Sequence, residues 1–356
     1  MDREQMNKFV ITAKSTIVDA MQQIDINTRG IVYIVDEKYK LLGSLTDGDI
    51  RRWLIKTADL NGNILSIMNK APKVIYQKDI GMAQELIEKY MVNSIPVVNA
   101  KGILKDIILE EQEHAGKSIN NKLEDVPVII MAGGKGTRLR PYTKILPKPL
   151  IPIGDIPIME RIIDRFCGFG MDTYYITVNY RKNMIRSYFN DLTPSYQIHY
   201  VEEDKPLGTA GSIQLIEEEF DKPVFVTNCD ILIDADYTDI YKYHVESGNM
   251  LTIVTALKNI VVPYGVINAK EDGVVLSMEE KPKLSYFVNT GMYVVNPEAL
   301  KLIPADTFYH MTDLSDELLR RNERVGMYPI SEESFLDMGE FEEMRRMEAK
   351  LNIKAE

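Results

Sequence analysis

The chain reads VPVIIMAGGKGTRLRPYTKILPKPLIPIGDIP from Val126 to Pro157. It opens on a short apolar, β-branched run of the length of a buried strand. Gly133, Gly134 and Gly136 follow at once, then Thr137 and Arg138; Lys148 stands further on between Pro147 and Pro149. Glycines let a backbone approach a ligand closely and offer it N–H groups. Arginine adds a fixed fork for phosphate oxygens. A strand, a glycine-rich basic loop and then a helical pattern, IMERIIDRFCGFG, predict the first turn of an α/β unit that holds phosphate. The loop is not a Walker A sequence, because GK[ST] at the required spacing is absent. It is not the dinucleotide fingerprint either, since the third glycine of that pattern is missing.

Working onward, strand and helix patterns alternate. YYITVNY and IHYVEE read as strands, RKNMIRSYFND as a helix between them, GSIQLIEEEF as a helix, and PVFVTNCDIL as a strand. This alternation predicts a mostly parallel, Rossmann-like sheet covered on both faces. Ligands of such sheets bind beyond the carboxyl ends of the strands. Further motifs fall in order. PLGTAGS (206–212) is a second glycine-rich loop. NCD ends its strand at Asp230. EEKP (279–282) and VNTGMYV (288–294) follow, and SFLDMGEFEE places Asp337 before a last helix.

Working backward, the first part of the chain repeats. Asp19–Asp49 lies over Met82–Gln112 without a gap, at a constant offset of 63. Each copy reads as a helix, a short strand (IVYIVD, SIPVVN), a turn, a strand and a second helix. One such unit cannot bury its own apolar face, so two are expected to pack together. The polar segment around 116–125 reads as a linker, giving an N-terminal unit over 1–115 and a second over 126–356.

The chain has 356 residues and a formal net charge of −11. That length fits two or three domains. The acidic balance argues against broad binding to nucleic acid or to an anionic membrane, which need clustered Lys and Arg. A small phosphorylated ligand needs only a local basic pocket. Cys167 and Cys229 offer no disulfide framework and suit a reducing cytoplasm. The start, MDREQMNKFV, lacks an apolar signal core, and no apolar run approaches a membrane span.

The repeat resembles a tandem CBS pair, with copies over about 9–58 and 65–115. Its specific stretch is GSLTDGDIRR (43–52). The resemblance implies an adenine-nucleotide site in which Thr46 faces phosphate or ribose and Asp49 accepts ribose hydroxyls. Read from the residues alone, TDGD is equally a strand-to-helix turn with a cap. Leu109 and Gln112 replace the two residues in the second copy, so at most one such site is expected. Paired modules of this kind commonly associate, which implies a homo-oligomer.

The motifs after Val126 resemble those of the sugar-1-phosphate nucleotidyltransferases. Membership would imply transfer of a nucleoside monophosphate from an NTP to a sugar 1-phosphate, with Mg²⁺. Ala132, Gly133 and Gly134 would line base and ribose, and Gly136, Thr137 and Arg138 the triphosphate. Lys148 would bridge phosphates near the reacting centre. Gly208 and Thr209 would flank the nucleoside. Asp230 and Asp337 would hold the metal. Gly265, Glu280, Lys281, Asn289 and Thr290 would form the sugar pocket. The domain combination resembles that of the glucosamine-1-phosphate guanylyltransferases of legionaminic acid biosynthesis. The pair Glu202–Glu203 favours GTP, because a carboxylate can accept from two adjacent guanine donors. UTP, dTTP or CTP use, and a catalytically silent regulatory subunit, stay open on sequence. His199 and His244 receive no role, and Cys229 is expected to be buried and inert.

Overall fold

A computed structural model of the chain describes residues 3–27, 29–90, 92–110, 123–192, 194–339 and 341–351. The chain divides into two compact units, Met1–Ser118 and Ile119–Glu356.

The first unit contains α1 (Arg3–Asn7), β1 (Val10–Thr12), α2 (Ile17–Asn27), β2 (Ile31–Val35), β3 (Leu41–Thr46) and α3 (Asp47–Thr57), then α4 (Ile64–Ile67), β4 (Ile75–Tyr76), α5 (Ala83–Tyr90), β5 (Ser94–Val98) and β6 (Leu104–Leu109). Two three-stranded sheets, β1-β2-β3 and β4-β5-β6, share one design. In each, the first pair is parallel and the second antiparallel. The repeat reaches the irregularities: β2 slips register between Ile34 and Val35, and β5 slips between Val97 and Val98. Those positions are 63 apart, the sequence offset. The copies touch through a Tyr33–Ser94 hydroxyl contact of 2.8 Å. The predicted second helix of the second copy, Gln112 and most of the linker lie outside the described residues.

Thr46 and Asp49 close the N-terminus of α3 as a reciprocal capping box. The Asp49 N–H donates to Thr46 Oγ1 at 3.2 Å. The Thr46 N–H and hydroxyl donate to Asp49 Oδ2 at 3.0 and 2.6 Å. Arg52 pairs with the other Asp49 oxygen at 2.5 Å. A cap therefore explains both residues locally.

The second unit runs β7 (Val128–Met131), β8 (Pro152–Ile153), β9 (Ile156–Pro157), α6 (Ile158–Cys167), β10 (Thr173–Val178), α7 (Lys182–Asp191), β11 (Gln197–Glu202), β12 (Val224–Asn228) and β13 (Ile231–Ile233). It continues with α8 (Tyr237–Ser247), β14 (Leu251–Val261), β15 (Gly265–Ala269), β16 (Val275–Glu280), β17 (Lys283–Val295), α9 (Pro297–Leu300), α10 (Met311–Arg320), β18 (Val325–Ile330), β19 (Phe335–Asp337) and α11 (Phe341–Lys350).

Seven strands form its main sheet in the order β11-β10-β7-β12-β17-β14-β18. Only β17 runs against its neighbours; the other pairings are parallel. One apolar core packs α6 and α8 on one face, and a second packs α9 and α10 on the other. The chain moves outward from β7 to β10 and β11, then returns to place β12 on β7's other side. That reversal opens a crevice at the carboxyl ends of β7 and β12.

One expected helix is absent. GSIQLIEEEF forms only a 3-10 turn over Gly211–Leu215. Both Ala210 and Gly211 donate their N–H to Tyr309 O, at 2.9 and 3.1 Å, so the first turn is tied to another segment. Three consecutive glutamates, 217–219, then offer no apolar face to continue it. The strand expected through PVFVTNCDIL also divides. It leaves the main sheet at Asn228, and β13 pairs with β19 instead.

Candidate active site

The two strand ends at the crevice deliver the two halves of the site. β7 is fully buried and runs into the glycine loop. Ala132 continues that ladder, donating its N–H to Thr177 O at 3.0 Å, and is itself buried behind the loop. A Cβ on Gly133 would overlap the Glu203 carboxylate and displace it. Gly136 has φ +60°, and a side chain there would press on Thr143 and Lys148. Thr143 fixes this turn by donating to Gly136 O at 2.8 Å. The 3-10 turn Thr137–Leu139 then presents Arg138.

β12 ends beside β7 and leads to Asp230. The β13–β19 pair brings Asp337 to the same place: Ile231 lies opposite Asp337, and the Met338 N–H donates to Asp230 O at 2.9 Å. Lys148 forms an ion pair with Asp230. Burial raises the Asp337 pKa first and the Asp230 charge second; Lys148, the Gly339 N–H and Arg138 oppose the rise. Two carboxylates that repel each other next to a phosphate-type loop form a fitting donor set for a hard divalent cation. Such a cation commonly takes one or two carboxylates and completes its shell with phosphate oxygens and water. Among the described residues no group of three or more acidic, histidine or cysteine side chains gathers as a ready-made metal cage.

The cleft has two adjoining parts. One, of about 430 Å³, is lined by Gly133, Gly134, Gly136, Thr137, Arg138, Lys148, Glu203, Gly208, Thr209 and Asp230. The other, of about 330 Å³, is lined by Arg138, Thr209, Asp230, Asn289, Thr290 and Asp337. Arg138, Thr209 and Asp230 line both, so they stand at the junction. In the second part the two expected sugar residues already have partners. Asn289 donates to Tyr293 OH at 2.7 Å, and Thr290 donates to Val254 O at 2.8 Å.

Gly265, Glu280 and Lys281 are not brought to the cleft lining. Gly265 and Glu280 face each other on the β15–β16 hairpin, where both are exposed, and Lys281 follows with φ +48°. The acidic pair separates. Glu202 turns to the surface and pairs with Lys182 and Arg186 at 2.5 and 2.7 Å. Glu203 is buried in the cleft wall. Burial raises its pKa against the Leu207 N–H and the Ser212 and Thr177 hydroxyls. Cys229 is buried, and its thiol pKa is pushed up to about 12 by burial and by Asp230.

Sequence reasoning passed over Asn228, Phe308 and His310. Asn228 and His310 line both parts of the cleft, and Phe308 lines the first. The segment Thr307–His310 lies directly on the second glycine loop. The Tyr309 N–H donates to Leu207 O at 2.9 Å, and a Cβ on Gly208 or Gly211 would collide with the carbonyls of Tyr309 and Thr307. The one local signal was H-M-T-D, a capping pattern ahead of an apolar helix. It marked the start of α10 but not what His310 faces.

Both units resemble known proteins. The family profile described as nucleotidyl transferase matches residues 127–353, and the CBS domain profile matches residues 5–56. A UTP–glucose-1-phosphate uridylyltransferase of Synechocystis is 37% identical over 202 residues, covering 51% of this chain and 52% of the relative. A mannose-1-phosphate guanyltransferase of Debaryomyces hansenii is 34% identical over 184 residues, covering 49% of this chain and 51% of the relative. The chain thus spans about half the length of the curated relatives it matches. A crystal structure of a candidate glucose-1-phosphate thymidylyltransferase from Bacillus anthracis superposes with a TM-score of 0.51 at 20% identity, covering 65% of this chain and 97% of that one. It shares the fold of the second unit.

Proposed function

From the premise that this chain belongs to the nucleotidyl transferase family, we propose that it transfers a nucleoside monophosphate from an NTP to a sugar 1-phosphate. The observation that carries this reading is the convergence of Arg138, Lys148, Asp230 and Asp337 in one cleft at the β7–β12 crevice. A phosphate oxygen of the sugar 1-phosphate attacks the α-phosphorus in line. The bond from that phosphorus to the β-phosphate oxygen breaks, and pyrophosphate leaves with the electron pair. Two anions must be held together, so alignment and neutralisation are the main tasks. Arg138 and Lys148 neutralise phosphate oxygens, and the glycine loop offers N–H groups. Asp230 and Asp337 would hold Mg²⁺, which supplies further neutralisation of the triphosphate. Lys148 must then exchange Asp230 for phosphate as substrate arrives.

GTP is the proposed donor. The relatives' names divide between uridylyl and guanyl transfer, so the choice rests on Glu203, a buried carboxylate in the wall beside Gly133. Guanine offers a carboxylate two adjacent donors, and uracil or thymine only one beside repelling carbonyls. Glucosamine 1-phosphate is the proposed acceptor, supported by the combination of a CBS module with this transferase unit, as in legionaminic acid biosynthesis. The protein is proposed to be cytoplasmic and homo-oligomeric through its CBS module. Among the described residues no helix is long and apolar enough to cross a membrane. An adenine nucleotide at Thr46 and Asp49 would have to draw both from their cap. A rise in melting temperature with AMP, ADP or ATP, lost in Asp49→Ala, would mark that site.

The test is pyrophosphate release with Mg²⁺, crossing GTP, UTP, CTP, dTTP and ATP against hexose, hexosamine and heptose 1-phosphates. Release for GTP with glucosamine 1-phosphate, abolished by EDTA and by Asp230→Ala, is the expected result. Release with another pair corrects the substrates, and no release from any pair favours a silent regulatory subunit.

A further inference from the structure

We propose that His310 positions the nucleotide-side loop through Nδ1 and donates a hydrogen bond from Nε2–H to a substrate oxygen at the junction of the cleft. The inference rests on the transferase reading above. His310 precedes α10, and its Nδ1 lies 3.3 Å from the Thr209 backbone nitrogen and 3.2 Å from Thr209 Oγ1. A backbone N–H can only donate, so Nδ1 carries the lone pair. The proton of the neutral ring is therefore on Nε2. Thr209 Oγ1 accepts from the Met311 N–H at 3.1 Å, leaving its own hydrogen for Nδ1. Thr209, the imidazole and the first residue of α10 thus close a ring of hydrogen bonds.

The surroundings make this ring matter. The flanking residues of the loop are already tied by backbone, through Leu207 and Ala210 to Tyr309. The direction of the Thr209 amide is left to His310. Both residues line both parts of the cleft. The Phe308 ring meets the imidazole edge-on, with centroids 4.8 Å apart, and limits its rotation. With Nδ1 committed, Nε2–H is the one hydrogen-bonding group the ring has left to offer. A neutral donor among Arg138, Lys148 and two carboxylates adds no charge. It selects for the position of an oxygen, which the flexible Lys148 side chain does less well.

Three substitutions separate the two roles. His310→Asn keeps an acceptor where Nδ1 stood, His310→Gln keeps a donor near Nε2, and His310→Ala keeps neither. The measurements are steady-state kinetics for the working NTP–sugar pair, calorimetric Kd for Mg-GTP and Mg-UTP, and Tm. His310→Asn is expected to hold KM and Kd within about twofold while kcat falls roughly tenfold, the worth of about one hydrogen bond. His310→Gln is expected to hold kcat while KM and Kd rise about tenfold, and His310→Ala to lose on both. In an active wild type, three variants that all behave normally would overturn the inference. So would three that lose kcat, KM and Tm together, which a purely structural role would give. A wild type that binds nucleotide without turnover leaves the Kd comparison to decide. A wild type that binds no nucleotide removes the transferase reading itself, and this inference with it.

Discussion

Lys148 and Asp230 are ion-paired inside the cleft, each side chain only 12% exposed. The pair joins residues 82 apart, one from the loop after β7 and one from the end of β12. In the proposed reaction Lys148 would exchange this carboxylate for a phosphate oxygen, and Asp230 would be released to a cation. Removing one partner of such a pair leaves the other partly buried and uncompensated.

Lys148→Ala should therefore do two things. Turnover should fall on the order of 10²–10³-fold, the usual cost of one electrostatic contact to a reacting phosphoryl group. Asp230 would also face Asp337 without its cation, so the variant should melt lower than wild type in EDTA and recover most of the difference in Mg²⁺. Thermal melts with and without Mg²⁺ check this. Equal deficits in both buffers would remove Asp230 and Asp337 as a cation pair.

Glu203→Gln keeps the size of the side chain and replaces one acceptor by a donor. If the carboxylate reads guanine, kcat/KM for GTP should fall roughly 10–100-fold, the range for a hydrogen bond to a charged group. UTP should be affected less. Burial raises the Glu203 pKa. Guanine recognition should therefore fade, as pH falls, at a higher pH than an ordinary glutamate would give. That limb of the pH profile should be missing in Glu203→Gln. Equal losses for every NTP would make Glu203 a structural residue.

The sequence carried what periodicity and local chemistry carry. The strand β7 and the loop after it depend on residues close in sequence, and the offset of 63 on a pattern repeated within each N-terminal copy; each has its counterpart in the structure. The failures are tertiary. GSIQLIEEEF has helical spacing, but Ala210 and Gly211 give their N–H groups to Tyr309, about a hundred residues away. Glu202 and Glu203 looked alike as a pair. Only the sheet edge decides that one meets Lys182 and Arg186 while the other enters the cleft. His310 was invisible for the same reason, since its meaning comes from Thr209 across the chain. Gly265, Glu280 and Lys281 came from motif order, which says nothing about where the β15–β16 hairpin lies.

Gly208 and Gly134 look equivalent as loop glycines, and the structure separates them. Gly208 has φ +81°, and a Cβ there would strike the Tyr309 backbone. Gly208→Ala should cost about 1–3 kcal/mol of stability, as strained left-handed positions do, and should raise KM for the NTP by disturbing Thr209. A Cβ on Gly134 would meet no atom within 4 Å. Gly134→Ala should keep stability within about 0.5 kcal/mol and weaken nucleotide binding alone, because Gly134 lines the cleft. Urea denaturation beside NTP kinetics checks the pair. A destabilised Gly134→Ala with normal KM would reverse the assignment.

His244 gives a pH-dependent stability unrelated to catalysis. It is buried on α8, and its Nδ1 lies 2.9 Å from Thr252 Oγ1. That oxygen also accepts from Asn249 Nδ2 at 2.9 Å. His244 Nε2 is buried without a partner. Protonation would add a buried charge, and burial lowers the folded pKa from 6.5 to about 4. Below pH 6.5 the unfolded chain takes up the proton and the folded chain does not. Stability from this group is therefore full above pH 6.5, falls as pH drops toward 4, and levels off below. The total swing should be no more than about 3 kcal/mol. His244→Gln should remove this part of the pH dependence while leaving turnover at pH 8 near wild type. Urea melts followed by circular dichroism at pH 7, 6 and 5 provide the check. A wild-type-minus-variant difference that stays constant across that range would mean that His244 is as well solvated when folded as when unfolded.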